Sequence, residues 1–143
     1  MTQYEFEIKR KQACDKIVGC AFASYNYWHS GVDELTYEAG LCCELEDVGF
    51  IMHRQEDFPI YYKGRASRVK RRFDLVATDQ ELGNIVIELK ALDTVGEQQR
   101  KQLWSYLRLT NSPFGMLINF GPKGVYSERW GYDTDTQKCY RIR

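Results

Sequence analysis

Apolar residues recur at helical spacing early in the chain. Ile17, Val18, Ala21, Phe22 and Tyr25 predict a helix over Ala13–Tyr25. The stretch His29-Ser30-Gly31 breaks it, and Ser30 or Asp33 can cap a second helix running from about Asp33 to Asp47, closed by Gly49. The period then shortens to two. Gln55–Lys63 and Arg68–Thr78 read as strands with Lys63–Ser67 between them, and Asp79–Asn84 turns the chain into a third strand, Ile85–Leu92. These three form an antiparallel meander. Glu97–Thr110 is amphipathic, with Leu103, Tyr106, Leu107 and Thr110 in one stripe, and Phe114–Gly121 reads as a buried strand. Beyond Gly121, Trp130, Tyr132 and Tyr140 suggest short edge strands. The expected order is α-α-β-β-β-α-β-β, an α/β fold with a central mixed sheet flanked by helices. A chain of 143 residues is one domain, residues 1–143, long enough to bury a core.

Three charged residues interrupt the greasy run Arg71–Ala91. A loop centred on Glu81 sets Asp74 opposite Glu88, Val76 opposite Val86 and Arg72 opposite Lys90. Alternation then puts Phe73, Leu75 and Ala77 with Ile85, Ile87 and Leu89 on a core face. Arg72, Asp74, Val76, Val86, Glu88 and Lys90 share the other. Two carboxylates about 5 Å apart at an effective dielectric near 20 repel by roughly 3 kcal/mol. A favourable cross-strand pair returns only about 0.2–1 kcal/mol. Lys90 and Arg72 can offset part of this in a salt-bridged patch on a wet sheet face. A hard divalent cation offsets it better, since Mg²⁺ takes one or two carboxylates together with water and phosphate oxygens.

The second helix bears on that choice. At 100° per residue, Tyr37, Glu38, Leu41, Leu45 and Val48 fall within about 60° of Glu34, so this acid lies on the stripe facing the sheet. There it either answers the helix macrodipole or serves as a further ligand. Gln102 and Tyr106 stand four apart on the third helix and share a face.

Overall charge adds little, because 20 basic residues balance 20 acidic ones. Its distribution says more: Lys63, Arg65, Arg68, Lys70, Arg71 and Arg72 crowd ahead of Asp74, as a phosphate-bearing ligand would require. Five cysteines, one pair adjacent and none in C-x-x-C spacing, argue against a zinc site or disulfide framework and for reduced thiols. The charged start MTQYEFEIKRK has no apolar h-region, and no run is long enough to span a bilayer. The expectation is an intracellular protein of cytoplasm, nucleoid or nucleus, neither secreted nor membrane-bound.

Asp74, thirteen residues, and Glu88-x-Lys90 on a hairpin resemble the D…(D/E)-x-K signature of the PD-(D/E)XK nuclease superfamily. The chain also resembles the subgroup named for a G-x-x-E-x-x-Y motif, here Gly31 to Tyr37 with Glu34 at its centre. Blocks at Tyr62–Gly64, Arg72–Val76, Ile85–Ala91, Gln102–Leu107 and Leu117–Gly121 follow in order. Gln102-x-x-x-Tyr106 is similar to the Q-x-x-x-Y element of the RecB-type branch. "WHSGVDE" lacks the usual glycine-rich approach to the glutamate, and no block covers the chain after Gly121.

The resemblance implies a restriction-endonuclease-like core and metal-assisted phosphodiester hydrolysis, most naturally of DNA. Asp74, Glu88 and the backbone carbonyl of Leu89 would hold Mg²⁺ or Mn²⁺, with Glu34 completing the shell. Lys90 would orient water or meet developing charge. Gln102 and Tyr106 would position substrate or Lys90, and Arg68, Arg71 and Arg72 would contact phosphates. A homodimer is a further expectation. The alternatives are a nucleic-acid-binding or assembly module that retains the fold without turnover, and the purely structural salt-bridge patch.

Overall fold

The computed structural model describes all 143 residues. Helix α1 (Gln3–Trp28) and helix α2 (Glu34–Asp47) precede strands β1 (Ile51–Tyr62), β2 (Arg65–Asp79) and β3 (Gly83–Lys90). Helix α3 (Glu97–Thr110) follows, then β4 (Phe114–Gly121), β5 (Gly124–Asp133) and β6 (Lys138–Ile142). The six strands form one sheet in chain order. Every neighbouring pair is antiparallel except β3 and β4, which run parallel with α3 between them in sequence. The mixed α/β architecture is the one the sequence pattern predicts, with one strand more.

The larger core lies on one face of the sheet. There Ile17, Ala21, Tyr37, Leu41 and Leu45 of α1 and α2 meet Leu75, Ala77, Ile85, Ile87, Leu89, Met116 and Ile118. A smaller cluster on the other face joins Leu103 and Leu107 of α3 to Val86, Leu117 and Tyr132. All eight residues of β4 are buried, as suits a strand covered on both faces. Gly115 permits the close approach of α3, since a Cβ there would come within 2.7 Å of the Val86 carbonyl oxygen and 2.9 Å of Leu107.

Several boundaries differ from the sequence reading. Helix α1 starts ten residues before Ala13, because Thr2 and Glu5 form a capping box and Phe6 packs edge-on against Phe114. Strand β1 begins at Ile51 rather than Gln55. It is an outermost, mostly exposed strand and so lacks a clean hydrophobic alternation. The β1–β2 connection is only Lys63-Gly64, both with positive φ (50° and 78°), flanked by the pair Tyr62 and Arg65. Val48 caps α2 and is exposed instead of lying on its buried stripe. The tail supplies a ten-residue strand, β5, as well as the short β6.

The hairpin register is the expected one, with Val76 opposite Val86 and Leu75 opposite Ile87. Two of its consequences are not. The β2–β3 ladder stops at Leu75, and upstream of it β2 pairs with β1 alone. Arg72 therefore faces Asp57 across β1, not Lys90, with Arg72 Nε donating to Asp57 Oδ1 at 3.3 Å. Phe73 also leaves the face assigned to it. It stacks on Phe58, centroids 5.2 Å apart, and meets Tyr106 of α3 at 4.5 Å. The change comes opposite Gln55 of the facing strand, which adopts φ 50° and is skipped in the pairing of β1 with β2 where Asp74 would be its partner.

Candidate functional site

The parting of β2 from β3 frees the acid of β2. With no backbone partner continuing the ladder, the Asp74 carboxylate accepts the Leu89 N–H through Oδ2 at 3.2 Å. Asp74 is half-buried, as are Glu34 and Lys90, whereas Glu88 is fully buried. Glu88 lies on the same side of β3 as Val86, the side that α3 covers.

Lys90 Nζ lies 2.9 Å from Glu88 Oε1 in an ion pair, and this buried carboxylate has no other polar partner in the protein. A buried carboxylate in that condition is costly. Burial, reinforced by the Asp74 charge, pushes Glu88 up to about 7 despite the nearby lysine. Glu34 is raised for the same two reasons, burial first and Asp74 second. Burial alone would lower Lys90, yet Glu88, Glu34 and Asp74 together hold it above the usual lysine value. Three acids and one lysine thus form a single electrostatic neighbourhood at the mouth of the split.

Glu34 opens α2. Asp33 caps that helix by accepting the Thr36 N–H at 2.9 Å, and Gly31, with φ 101°, turns the chain toward it. Tyr37, one turn on, is fully buried, stacks on Phe120 at 4.5 Å and donates its hydroxyl to the His29 carbonyl at 2.5 Å. The Gly-x-x-Glu-x-x-Tyr spacing therefore shapes the turn, presents Glu34 and anchors the helix.

Gln102 Nε2 donates to Tyr106 Oη at 2.9 Å, and Tyr106 leans on Phe73. The two residues bond to each other rather than to the carboxylates. Arg68, Arg71 and Arg72 are exposed on the β1–β2 ribbon, upstream of Asp74.

Sequence reasoning missed Glu38 as a site neighbour. It is 1% exposed and one turn from Glu34; it accepts from Gln55 Nε2 at 2.9 Å and from Arg54 Nη2 at 3.2 Å. It therefore ties down the irregular Gln55 beside Asp74. Its place on the apolar stripe was the available signal. Glu128 of β5 was also missed. Arg100 grips it through two nitrogens at 2.6–3.0 Å, while Tyr126 Oη and Trp130 Nε1 donate at 2.6 and 2.8 Å. An acid alternating with Tyr126 and Trp130 was the clue.

A family model matches most of the chain. The PD-(D/E)XK nuclease superfamily model covers residues 11–130. The chain belongs to this superfamily. No curated protein matches it significantly. A solved protein described as "Crystal structure of SSO0001" is 23% identical, with TM-score 0.45, over 66% of this chain. The match spans half of that protein's length.

The residues present fit a hard divalent cation. Glu88, Asp74 and Glu34 are hard oxygen donors that share the single charge of Lys90. As they stand, no three His, Cys, Asp or Glu side chains are gathered closely enough to hold an ion, and Lys90 lies against Glu88 instead.

Proposed function

We propose that this superfamily member is a divalent-metal-dependent nuclease hydrolysing phosphodiester bonds, with DNA as substrate. The observation that carries the reading is Glu88: fully buried, paired with Lys90 alone, and beside Asp74 where two strands part. Asp74, Glu88 and the carbonyl of Leu89 are the proposed ligands, with Glu34 reaching the ion directly or through water. Bound Mg²⁺ or Mn²⁺ would polarise the scissile phosphate and ease deprotonation of the attacking water. Release of Lys90 from Glu88 would leave its ammonium free to orient that water or to face the charge developing on the phosphate. Gln102 and Tyr106, braced by Phe73, would fix the wall opposite, and Arg68, Arg71 and Arg72 would hold flanking phosphates.

Within the superfamily we assign the chain to the subgroup of the G-x-x-E-x-x-Y motif. Support comes from Gly31 at positive φ, Glu34 beside the acids, and Tyr37 as a buried anchor. The test is Mg²⁺- or Mn²⁺-dependent cleavage of DNA by wild type, Asp74→Ala and Lys90→Ala, with folding followed by circular dichroism. Both variants should be folded and inactive. Full activity in either overturns the assignment.

A further inference from the structure

Beyond Leu75, β2 is paired with β1 alone, so the two strands continue as a free ribbon to Lys63-Gly64. From Asp57 to Tyr62 the ribbon reaches about 20 Å past the acids, at roughly 3.4 Å per residue. An isolated two-stranded ribbon is marginally stable by itself. A cleft of about 850 Å³ separates its outer half from the end of α3 and the Thr134–Gln137 turn, with Phe58 and Phe73 at its floor.

The ribbon's composition is unlike the rest of the chain. Between Gln55 and Arg72 lie six basic residues and two acids, a net +4, which the other residues of this neutral chain balance. All six cations are exposed, and only Arg72 is paired with an acid. At the tip Tyr61 and Tyr62 are 61% and 63% exposed, and Lys63 Nζ lies 5.4 Å above the Tyr62 ring. Exposed aromatics among unpaired cations, at the exposed tip of the ribbon, suit a polyanion that also offers flat surfaces.

We infer that the β1–β2 ribbon is an arm that lies in the major groove of duplex DNA and holds the backbone at the acids, selecting duplex over single strands. This rests on the nuclease reading and names the form of its substrate. The major groove is about 12 Å wide and admits a two-stranded ribbon. An arm of about 20 Å runs alongside roughly six base pairs at 3.4 Å each. Consecutive Lys70, Arg71 and Arg72 leave opposite faces of β2 by strand alternation and so meet the phosphates of both strands, an arrangement that single-stranded DNA does not present.

The experiment is fluorescence-anisotropy binding in EDTA, where no cleavage occurs. A 20-base-pair duplex and its single strand are titrated with wild type and with the triple variant Arg65→Gln/Lys70→Gln/Arg71→Gln. These exposed positions leave the core intact, which circular dichroism checks. The expected result is a loss of about tenfold or more in duplex affinity at 0.15 M salt, and a slope of log K against log salt shallower by about 3. The loss for single strands should be several-fold smaller.

Unchanged duplex affinity, equal losses on both forms, or no binding by wild type would each overturn the inference. So would a concentration-dependent dimer in light scattering that Tyr61→Ser/Tyr62→Ser abolishes while DNA affinity stays the same, which would make the tip a contact for a second copy. Because binding is read without turnover, failure here leaves the Asp74→Ala cleavage result standing, and the converse also holds.

Discussion

Glu88 and Glu128 are two buried glutamates on one face of the sheet. Both are paired in register with Leu117 of β4, from opposite sides, about 10 Å apart across two strand spacings. Their surroundings differ in almost every other respect. Glu128 receives donors from Arg100, Tyr126 and Trp130. Burial alone would raise it, but Arg100, Tyr126 and Trp130 hold it down at about 2. Glu88 has Lys90 as its one partner and an acid beside it, and burial and that acid push it up to about 7. The same side chain in the same layer is a structural anchor where its partners converge and, where most of them are withheld, a carboxylate with a raised pKa. That contrast separates stability from function more sharply than burial does.

The largest way to break the comparison is Glu88→Gln. On this account it costs at least about 10²–10³-fold in cleavage rate, because the cation that would stabilise the reacting phosphate loses a charged ligand. Metal-free stability should stay the same or rise, because a buried carboxylate that Lys90 compensates only in part is removed. Kinetics and thermal melts on one preparation read both effects. A variant that cleaves normally and melts lower would make Glu88 a second Glu128.

Glu128→Ala is the opposite case. Stranding Arg100 should cost about 3 kcal/mol of stability. Cleavage by whatever fraction remains folded should be close to normal, which urea titration and active-fraction kinetics can separate.

The two acids should also respond oppositely to pH in the metal-free protein. Glu88 titrates higher when folded than its ordinary 4.5, so stability falls as pH rises from 4.5 to about 7 and then levels. Glu128 titrates lower when folded, so its contribution is complete above 4.5 and is lost as pH falls toward about 2. Melting temperature against pH, with each glutamate replaced by glutamine in turn, should remove one limb of the profile and leave the other.

The smallest effect belongs to Glu38, which is intermediate between the two. Glu38→Gln keeps one acceptor for Gln55 and weakens the Arg54 contact, costing about 1–2 kcal/mol. It should lower cleavage several-fold by loosening the chain opposite Asp74, with activity falling by less than in Glu88→Gln.

Local signals made much of this readable before the coordinates. The register of β2 on β3 followed from a loop symmetric about Glu81, and in the structure Asp79 Oδ2 fixes that loop by accepting the N–H groups of Glu81 and Leu82. The bounds of α3 and β4 came from an amphipathic stripe and a continuous apolar run. What was lost depended on distant residues. Phe73 changed sides opposite an irregularity at Gln55, on another strand. Arg72 found Asp57 because the ladder it was assigned to ends earlier. Glu128 takes two of its donors from Tyr126 and Trp130 beside it, but its cation is Arg100, 28 positions away on α3. The Thr2-x-x-Glu5 capping box was local and in view, and the early start of α1 could have been read from it.

The most direct measurement of the central claim is the melting temperature at pH 8 as Mn²⁺ is added to wild type, Asp74→Ala and Glu88→Gln. At a hundred times its dissociation constant, an ion bound only by the folded site adds about 2.7 kcal/mol. For a chain of this size that is a rise of roughly 5–10 °C. The account predicts that rise in wild type and a flat response in both variants. Equal rises in all three, or none in wild type, would contradict it.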